Sequence, residues 1–541
     1  MAKNPAFFMS KSTITFLLLL TILGIAVFFR FYRLDRIPPG LYPDVAINGN
    51  DALDSLKTGQ FKLFYPENNG REGMIVWLDA LSIYLFGAGV YALKFPAALA
   101  GVLTVIGLYF LGKELFGKKG ECAALLASFF LATSFWHVNF SRIGFRAILV
   151  PFFLVFAFYF FTKGFKTKKN AWQIPAGIFF GAGFYTYISY RLAVPLLFVA
   201  LLGWFLYYWR GKLPINFLRT AAIILTTIFV IALPIGLYFL GHPGDFIGRA
   251  GQTSVFSADN PLLAFGQSLG LHLAMFNFYG DGNWRHNYPG SPELFWPVGI
   301  LFLVGLFLAV KQLAAQFRAK DFGPEFNSYL LLLAWLIFMI LPGALTQEGI
   351  PHALRVIGVI PAVFLLAGIG AQAAYDWLKA RSNDKTAAVL CFLFLAVVAS
   401  HEYYKYFTQW AQNKNVPGAF TQIFFDEGKL LSLLSTDSKT VVIVNESGVN
   451  VPYPDGIPMP AQTIIFVERA DCFRQKGFNN PGCGLPYSQF ILPDQLNEIT
   501  IDKKTVIMPV KYDPALLESL KQRFPDGNLK AEDNIQYYEI D

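Results

Sequence analysis

The sequence predicts a mainly α-helical protein that crosses a membrane about eleven times and ends in a small α/β domain. Of its 541 residues, 55% are hydrophobic and only 15% are charged, and the mean hydropathy is +0.44. Soluble proteins have about 45–50% apolar and about 25% charged residues. The apolar residues also come in runs close to the length of about 20 that a helix needs to span a bilayer. This pattern excludes a soluble single-core enzyme and a disordered chain.

The positions of Lys and Arg give the orientation of the apolar runs. Basic clusters such as 163–169 follow alternate runs, and cytoplasmic loops are the ones that carry such clusters. All of them fall inside if the N-terminus is cytoplasmic and segment 73–87 does not cross, so we expect 73–87 to be an interfacial helix of the first outer loop. The predicted spans in the plasma membrane are 13–32, 95–112, 121–138, 147–162, 172–190, 192–209, 220–240, 295–310, 328–345, 356–375 and 386–404.

The predicted organisation is a membrane domain, 1–410, followed by an extracytoplasmic α/β domain, 411–541. Two large outer loops, 33–94 and 241–294, belong to the membrane domain. In the tail, the apolar runs 441–444, 464–467 and 506–508 predict buried strands, and Asp513 is expected to cap a helix from Pro514 to Arg523. Outside the cell, Cys472 and Cys483 are expected to form a disulfide, the alternative being two free thiols.

Polar residues of the membrane domain collect on its outer face, which makes them candidates for a functional site. Arginine holds phosphate oxygens in a two-pronged fork, and a carboxylate can accept the proton of an attacking hydroxyl. Such a set suits a transfer reaction with a phosphate leaving group, although Arg142 and Arg146 alone would be interpreted as interface anchors. The candidates are Asp44, Arg71, Glu72, Arg142, Arg146, Tyr187, Asp281, Arg285, His286, His352 and Arg355.

The order of several motifs resembles a known family. An aspartate, Asp44, opens the first outer loop, and the motifs Lys-Phe-Pro-Ala-Ala at 94–98 and Ser-Arg-Ile-Gly-Phe-Arg at 141–146 follow. Further along are Tyr-Thr-Tyr at 185–187, the segment 281–292 and Pro-His-Ala-Leu-Arg at 351–355. Over about residues 10–380 the chain resembles the GT-C glycosyltransferases, in particular their prokaryotic protein O-mannosyltransferase-like group. That group includes the dolichyl-phosphate-mannose-protein mannosyltransferases and the aminoarabinose transferase of lipid A.

The resemblance implies an inverting glycosyltransferase that moves mannose or a related sugar from a polyprenyl-phosphate donor to an extracytoplasmic protein, lipid or glycan. It implies Asp44 as the base or as the residue that orients the acceptor, and we add Glu72 as a second carboxylate. The donor phosphate is expected near Arg355, Arg142, Arg146 or Arg71. The remaining substrate contacts are expected from His352, Tyr187, Asp281, Arg285 and His286. If the reaction uses a divalent cation, Mg²⁺ or Mn²⁺, its expected ligands are Asp44 and Glu72; the alternative is that arginine or lysine replaces the metal.

The alternative hypothesis is a transporter or flippase for a glycolipid or polysaccharide. Transporters place ionisable groups near the bilayer midplane, on broken helices of repeated halves. The predicted spans carry almost no charge at their centres, and the chain has no visible repeat. These observations favour the enzyme.

Overall fold

Helices form most of the protein. The computed structural model describes residues 10–449, 451, 456–477 and 480–541. Within the membrane part, two short strands, β1 (Phe64–Tyr65) and β2 (Arg71–Glu72), pair antiparallel in the first outer loop. The helices of this part are α1 (Lys11–Phe31), α2 (Pro43–Thr58), α3 (Met74–Phe86), α4 (Val90–Phe116), α5 (Glu121–Thr133), α6 (Phe135–Arg142), α7 (Leu149–Thr167), α8 (Asn170–Ala182), α9 (Ala193–Arg210), α10 (Pro214–Gly241), α11 (Pro243–Gln252), α12 (Pro261–Ala274), α13 (Trp296–Arg318), α14 (Pro324–Ala344), α15 (Ile360–Arg381) and α16 (Asp384–Tyr403), which continues as a π-helical segment, Tyr404–Trp410.

The predicted fold class is confirmed, with one difference in how the spans are divided. Among the described residues, nine segments are long and apolar enough to cross a membrane, and the protein is an integral membrane protein. One of these segments, Val90–Thr133, contains both α4 and α5, which a 3-10 turn at Gly117–Gly120 separates. Helix α8 has 13 residues, about 20 Å, which is short of the roughly 30 Å hydrocarbon core. The direction of insertion and the interfacial position of α3 stay predictions.

Close backbone approach holds the centre of the membrane part together. Helices α13 and α15 meet at Gly305 and Gly370. A Cβ added at Gly305 would lie 1.8 Å from the Leu366 carbonyl oxygen, and one at Gly370 would lie 1.9 Å from that of Leu301. Only glycine fits at either position, which is a common way for helices to pack where lipid removes the hydrophobic driving force.

The tail folds around a five-stranded sheet. Its helices are α17 (Asn415–Ala419), α18 (Gln422–Leu434), α19 (Ala461–Lys476) and α20 (Pro514–Arg523), and its strands are β3 (Lys439–Ile443), β4 (Gln489–Ile491), β5 (Thr505–Pro509), β6 (Asn528–Glu532) and β7 (Ile535–Ile540). The strand order is β4-β3-β5-β7-β6. Strand β3 is parallel to both of its neighbours, and β7 is antiparallel to both of its own.

Most local predictions for the tail are confirmed. The apolar runs 441–444 and 506–508 contribute to β3 and β5, and the Asp513 side chain accepts hydrogen bonds from the backbone N–H groups of Ala515 and Leu516 at the start of α20. The strand expected at 464–467 is wrong, because these residues lie in α19. That helix packs on both α18 and α2. Residues 464–467 are therefore apolar on every side of the helix, and so short a run does not show the helical period. Cys472 and Cys483 form a disulfide.

The tail packs directly on α2, the helix that begins beside Asp44. Asn50 donates hydrogen bonds to the backbone and side-chain oxygens of Gln462, at 3.2 and 3.0 Å. Arg469 forms an ion pair with Asp54. A Cβ at Gly49 would lie 2.6 Å from the Phe466 ring, so glycine allows α19 to approach this closely.

Candidate active site

Asp44 lies in the first turn of α2 and is held there by a side chain from the same outer loop. Pro43 occupies the first helical position, where its missing N–H costs no hydrogen bond. A carboxylate in this turn also faces the positive end of the helix dipole. Asn68 donates a hydrogen bond from Nδ2 to Asp44 Oδ1, at 2.8 Å. Sequence analysis gave Asn68 no role, and the Asn-Asn-Gly turn that contains it is the only signal that could have pointed to it.

Two cavities meet at Asp44. The first, of about 850 Å³, contains two arginines, Arg285 and Arg355, and is called here the arginine cavity. The second, of about 880 Å³, is bounded mainly by the tail and is called the tail cavity. The residues that line both are Tyr42, Asp44, Gly418 and Thr421. A carboxylate in this place can touch molecules that enter from two directions.

A buried hydrogen-bonded cluster forms one wall of the arginine cavity. His286 Nδ1 lies 2.9 Å from Asp281 Oδ2, and since a carboxylate only accepts, Nδ1 donates. The same carboxylate oxygen accepts the backbone N–H of Ala353 at 2.8 Å, which ties the 281–288 loop to the segment before α15. His352 Nδ1 lies 4.0 Å from Asp281 Oδ2. The structure therefore brings together three predicted residues that come from two distant segments.

These three side chains also have the spacing of a metal-ligand set. Among the described residues, Asp281, His286 and His352 form the one group whose ligand atoms all lie within 4.8 Å of one another. The expected ligand pair, Asp44 and Glu72, does not form such a group in this part of the chain.

The two arginines of the cavity differ in how they are held. Arg355 donates to the Glu348 carbonyl oxygen at 2.9 Å and to its carboxylate at 3.0 Å, and that carboxylate is 72% exposed. Arg285 lies over the Tyr42 ring, 4.1 Å from its centroid. Burial, with Asp44 close by, raises the pKa of Tyr42, so its hydroxyl keeps its proton at neutral pH. Because Glu348 is solvated, the ion pair holds Arg355 weakly and leaves it able to bind an anion.

Comparisons with known proteins bear on the family and the fold of the chain. Residues 73–235 match the family of dolichyl-phosphate-mannose-protein mannosyltransferases. The crystal structure of ArnT from Cupriavidus metallidurans bound to undecaprenyl phosphate covers 98% of both chains, with a TM-score of 0.58 and 14% identity. The apo oligosaccharyltransferase of Archaeoglobus fulgidus covers 80% of this chain and 62% of its own, with a TM-score of 0.52 and 14% identity. The resemblance to the GT-C glycosyltransferases is confirmed.

Curated relatives are similar to this chain over parts of its length. An undecaprenyl phosphate-alpha-4-amino-4-deoxy-L-arabinose arabinosyl transferase of Edwardsiella ictaluri is 25% identical over 326 residues, which are 55% of this chain and 53% of that protein. A Bacillus subtilis protein named as a mannosyltransferase is 34% identical over 109 residues, 20% of this chain and 15% of that protein. The chain thus matches about half the length of these relatives or less.

Glu72 lies apart from both cavities. Its carboxylate is buried, 3.4 Å from Arg146 Nε and 4.0 Å from Arg191 Nη2. Arg146 also donates to the Gly70 carbonyl oxygen at 3.1 Å and lies over the Tyr187 ring. Glu72 therefore does not join Asp44 as a second carboxylate, because two arginines neutralise it. Arg146 and Tyr187, both expected at the substrate, belong to this buried group, and neither lines a cavity.

Arg142 and Arg71 also have structural partners in place of the expected phosphate. Arg142 donates to the carbonyl oxygens of Phe29, Tyr32 and Ile37 at 2.9, 2.7 and 2.9 Å. These carbonyls lie at and just beyond the end of α1, where helices leave such groups without partners. Arg71 is buried and contacts Asp51 Oδ2 and Asn48 Oδ1, both at 2.7 Å. Neither arginine lines a cavity, so Arg355 and Arg285 are the remaining candidates for a donor phosphate.

Proposed function

We propose that this protein is an inverting glycosyltransferase that moves a sugar from a polyprenyl-phosphate donor to an acceptor hydroxyl outside the cytoplasm. The observation that carries the proposal is the position of Asp44 where the arginine cavity and the tail cavity meet. Such a place suits a general base that works between a donor and an acceptor. The ArnT structure that covers this chain was solved with undecaprenyl phosphate, and an Archaeoglobus oligosaccharyltransferase with dolichol phosphate, which supports the donor class.

The donor phosphate is assigned to the arginine cavity. Arg355 and Arg285 line it, whereas the tail cavity has no arginine among the described residues. A guanidinium group keeps its charge in any environment and binds phosphate oxygens through two parallel hydrogen bonds. The Glu348 carboxylate paired with Arg355 is solvated, so a phosphate that approaches Arg355 can displace it.

In the proposed reaction, the acceptor hydroxyl reaches Asp44 from the tail cavity. Asp44 takes the hydroxyl proton as its oxygen attacks C1 of the donor sugar from the face opposite the phosphate. The bond between C1 and the phosphate oxygen breaks, and its electron pair leaves with polyprenyl phosphate, whose charge the arginines stabilise. Asn68 keeps the Asp44 carboxylate oriented through its hydrogen bond.

We further propose that Asp281, His286 and His352 bind a divalent cation. Two imidazoles and one carboxylate suit Zn²⁺ or Mn²⁺ better than Mg²⁺, which prefers oxygen ligands. A cation there would neutralise charge on the donor phosphate. Purified wild-type protein is expected to carry close to one metal ion per chain by mass spectrometry, and His286→Ala is expected to lose most of it. His242→Ala removes an exposed histidine and should keep the metal; equal metal content in the three proteins would contradict the site.

The reaction is tested with purified protein in liposomes and labelled polyprenyl-phosphate mannose, glucose and aminoarabinose. We expect release of polyprenyl phosphate with one of these donors and a loss of at least about 100-fold in Asp44→Asn, because general-base catalysis contributes about 10²–10⁴-fold. The matched control is Asp259→Asn, an exposed aspartate outside both cavities. Normal turnover in Asp44→Asn would remove Asp44 from the reaction. Movement of the donor lipid between leaflets without release would favour the transporter.

A further inference from the structure

The tail cavity opens at one particular edge of the tail sheet. Residues 446–449 follow β3, residues 509–512 end and follow β5, and residues 534–536 begin β7, and all of them line the cavity. Because β3 and β5 are parallel, their carboxyl ends both lie at this edge. Open α/β sheets bind their ligands at this edge, since the loops there are free to carry polar groups.

Two side chains in the wall of the tail cavity have a buried oxygen without a hydrogen-bond partner. Glu427 on α18 is only 4% exposed, and its Oε2 accepts no hydrogen bond from any described residue. Gln536 on β7 has its Oε1 in the same situation. A buried polar atom left unpaired costs about 1–3 kcal/mol, and such atoms in native proteins usually have a purpose. The Gln536 oxygen is an acceptor, whereas burial raises the pKa of Glu427 well above its ordinary value and favours the neutral acid, which can accept or donate. Hydroxyl groups, which both donate and accept, satisfy both side chains.

The charges of the tail cavity indicate what kind of donor it accepts. Asp44, Glu427 and Glu446 line it, and Lys511 is the one basic residue in the described lining. Lys511 is already paired with Glu446 at 3.0 Å. Because burial favours the neutral form of Glu427, the charge that remains in the lining is that of Asp44. An anionic ligand would therefore be repelled by Asp44, whereas hydroxyl and ammonium groups would meet acceptors.

We propose that the tail cavity binds the acceptor through a neutral or amino sugar headgroup that carries no phosphate. The proposal rests on the proposed function, because it places the headgroup hydroxyl within reach of Asp44. A sugar offers several donors to the separate oxygens of Glu427, Gln536 and Asp44, whereas a single serine or threonine hydroxyl offers one. The volume of about 880 Å³ suits a ligand of this size.

The test measures equilibrium binding to the full-length protein in nanodiscs, with no donor lipid present. The probes are hexyl glucoside, hexyl glucosaminide, hexyl glucoside 6-phosphate and a capped threonine amide. We expect the first two to bind at least tenfold more tightly than the last two. Glu427→Leu is expected to weaken hexyl glucosaminide binding by about tenfold or more, because the hydrogen bond it removes involves a charged group.

Matched variants separate a binding role from damage to the fold. Gln536→Leu removes the other unpartnered oxygen and is expected to weaken hexyl glucoside binding several-fold. Glu498→Gln changes an exposed glutamate of the tail and should bind as the wild type does. The proposal is overturned if the phosphorylated probe or the threonine amide binds as tightly as the glucosides. It is also overturned if Glu427→Leu and Gln536→Leu both leave binding unchanged. Since no donor takes part, absence of sugar transfer would affect only the proposed function.

Discussion

At the scale of single residues, charged side chains of the same type have different partners in this protein. Arg142 donates to three carbonyl groups around the end of α1, whereas Arg355 has a solvated carboxylate and faces a cavity. The motifs made both arginines candidates, and nothing local separates them. The partners of Arg142 lie more than 100 residues away in the chain, and this distance hides the contact from sequence analysis.

This contrast predicts opposite results for two substitutions. Arg142→Gln leaves buried carbonyls without donors and is expected to lower the free energy of unfolding by about 3 kcal/mol. Arg355→Gln is expected to fold normally and to raise the KM for the donor about tenfold, because a charge-assisted hydrogen bond to phosphate is lost. Thermal unfolding in detergent and donor titrations measure the two effects. If the Arg355→Gln protein lost stability and kept the wild-type KM, Arg355 would have a structural role and no role in donor binding.

The structure separates the predicted site residues into those that line the arginine cavity and those that do not. Asp44, Asp281 and His352 were expected at one site, and all three line this cavity. Glu72 was expected beside Asp44, and it lies instead against Arg146 and Arg191. The charge of Glu72 and its place in the first outer loop do not predict its partners, because these depend on how distant helices pack.

At the scale of elements, local signals predicted those parts of the fold that have local causes. Helix α20 begins where Asp513 and Pro514 indicate, and its cap needs only neighbouring residues. The run 464–467 has no such signal, and its apolar character comes from burial between α2 and α18. The membrane helices were also located from a local signal, the lengths of the apolar runs. Helices α4 and α5, on either side of a turn, lie in one continuous apolar segment.

Helix α19 carries a buried carboxyl group that makes the stability of the tail depend on pH. Burial raises the pKa of Glu468 to about 7, from an ordinary value of 4.5. Its stabilising contribution is fully present below about pH 4.5 and is lost as the pH rises through about 7, because the unfolded chain gives up the proton first. The whole shift corresponds to roughly 3 kcal/mol.

Glu468→Gln is expected to remove this dependence. The Ser488 backbone N–H and hydroxyl donate to different oxygens of the Glu468 carboxyl group. The amide can keep both contacts, because its oxygen accepts the N–H and its NH2 group donates to the Ser488 hydroxyl oxygen. The free energy of unfolding of the tail should therefore stay constant between pH 5 and 8 in the variant and decrease with rising pH in the wild type. Glu498→Gln, at an exposed position, should keep the wild-type profile. Parallel profiles for the wild type and Glu468→Gln would rule out Glu468 as the source.

At the scale of the whole molecule, the membrane part and the tail are in contact at α2, the helix that begins beside the proposed base. Gly49, Asn50 and Asp54 of α2 all contact α19. Movement of α19 is therefore expected to move Asp44.

Gly49→Ala tests this connection. The added Cβ would lie 2.6 Å from the Phe466 ring and 2.8 Å from the Leu93 side chain, which forces α2 and α19 apart. Overpacking of this kind costs about 1–3 kcal/mol, and we expect transfer to fall together with stability. Gly24→Ala on α1, where nothing lies within 4 Å, is the matched control for unfolding and transfer assays. Unchanged turnover in a destabilised Gly49→Ala protein would show that the two parts act independently.

The contact between α2 and α19 also has a consequence for how such proteins can diversify. A new tail grafted onto this membrane part would meet a helix whose surface is fitted to the old one, at Gly49, Asn50 and Asp54. The unit that can be exchanged between relatives is therefore the tail together with α2, which are separated by more than 350 residues in the chain. Recombination at a single junction cannot carry both, because exchange of α2 needs a crossover on each side and exchange of the tail needs a third. Chimaeras built with one crossover should therefore fail where those built with three succeed.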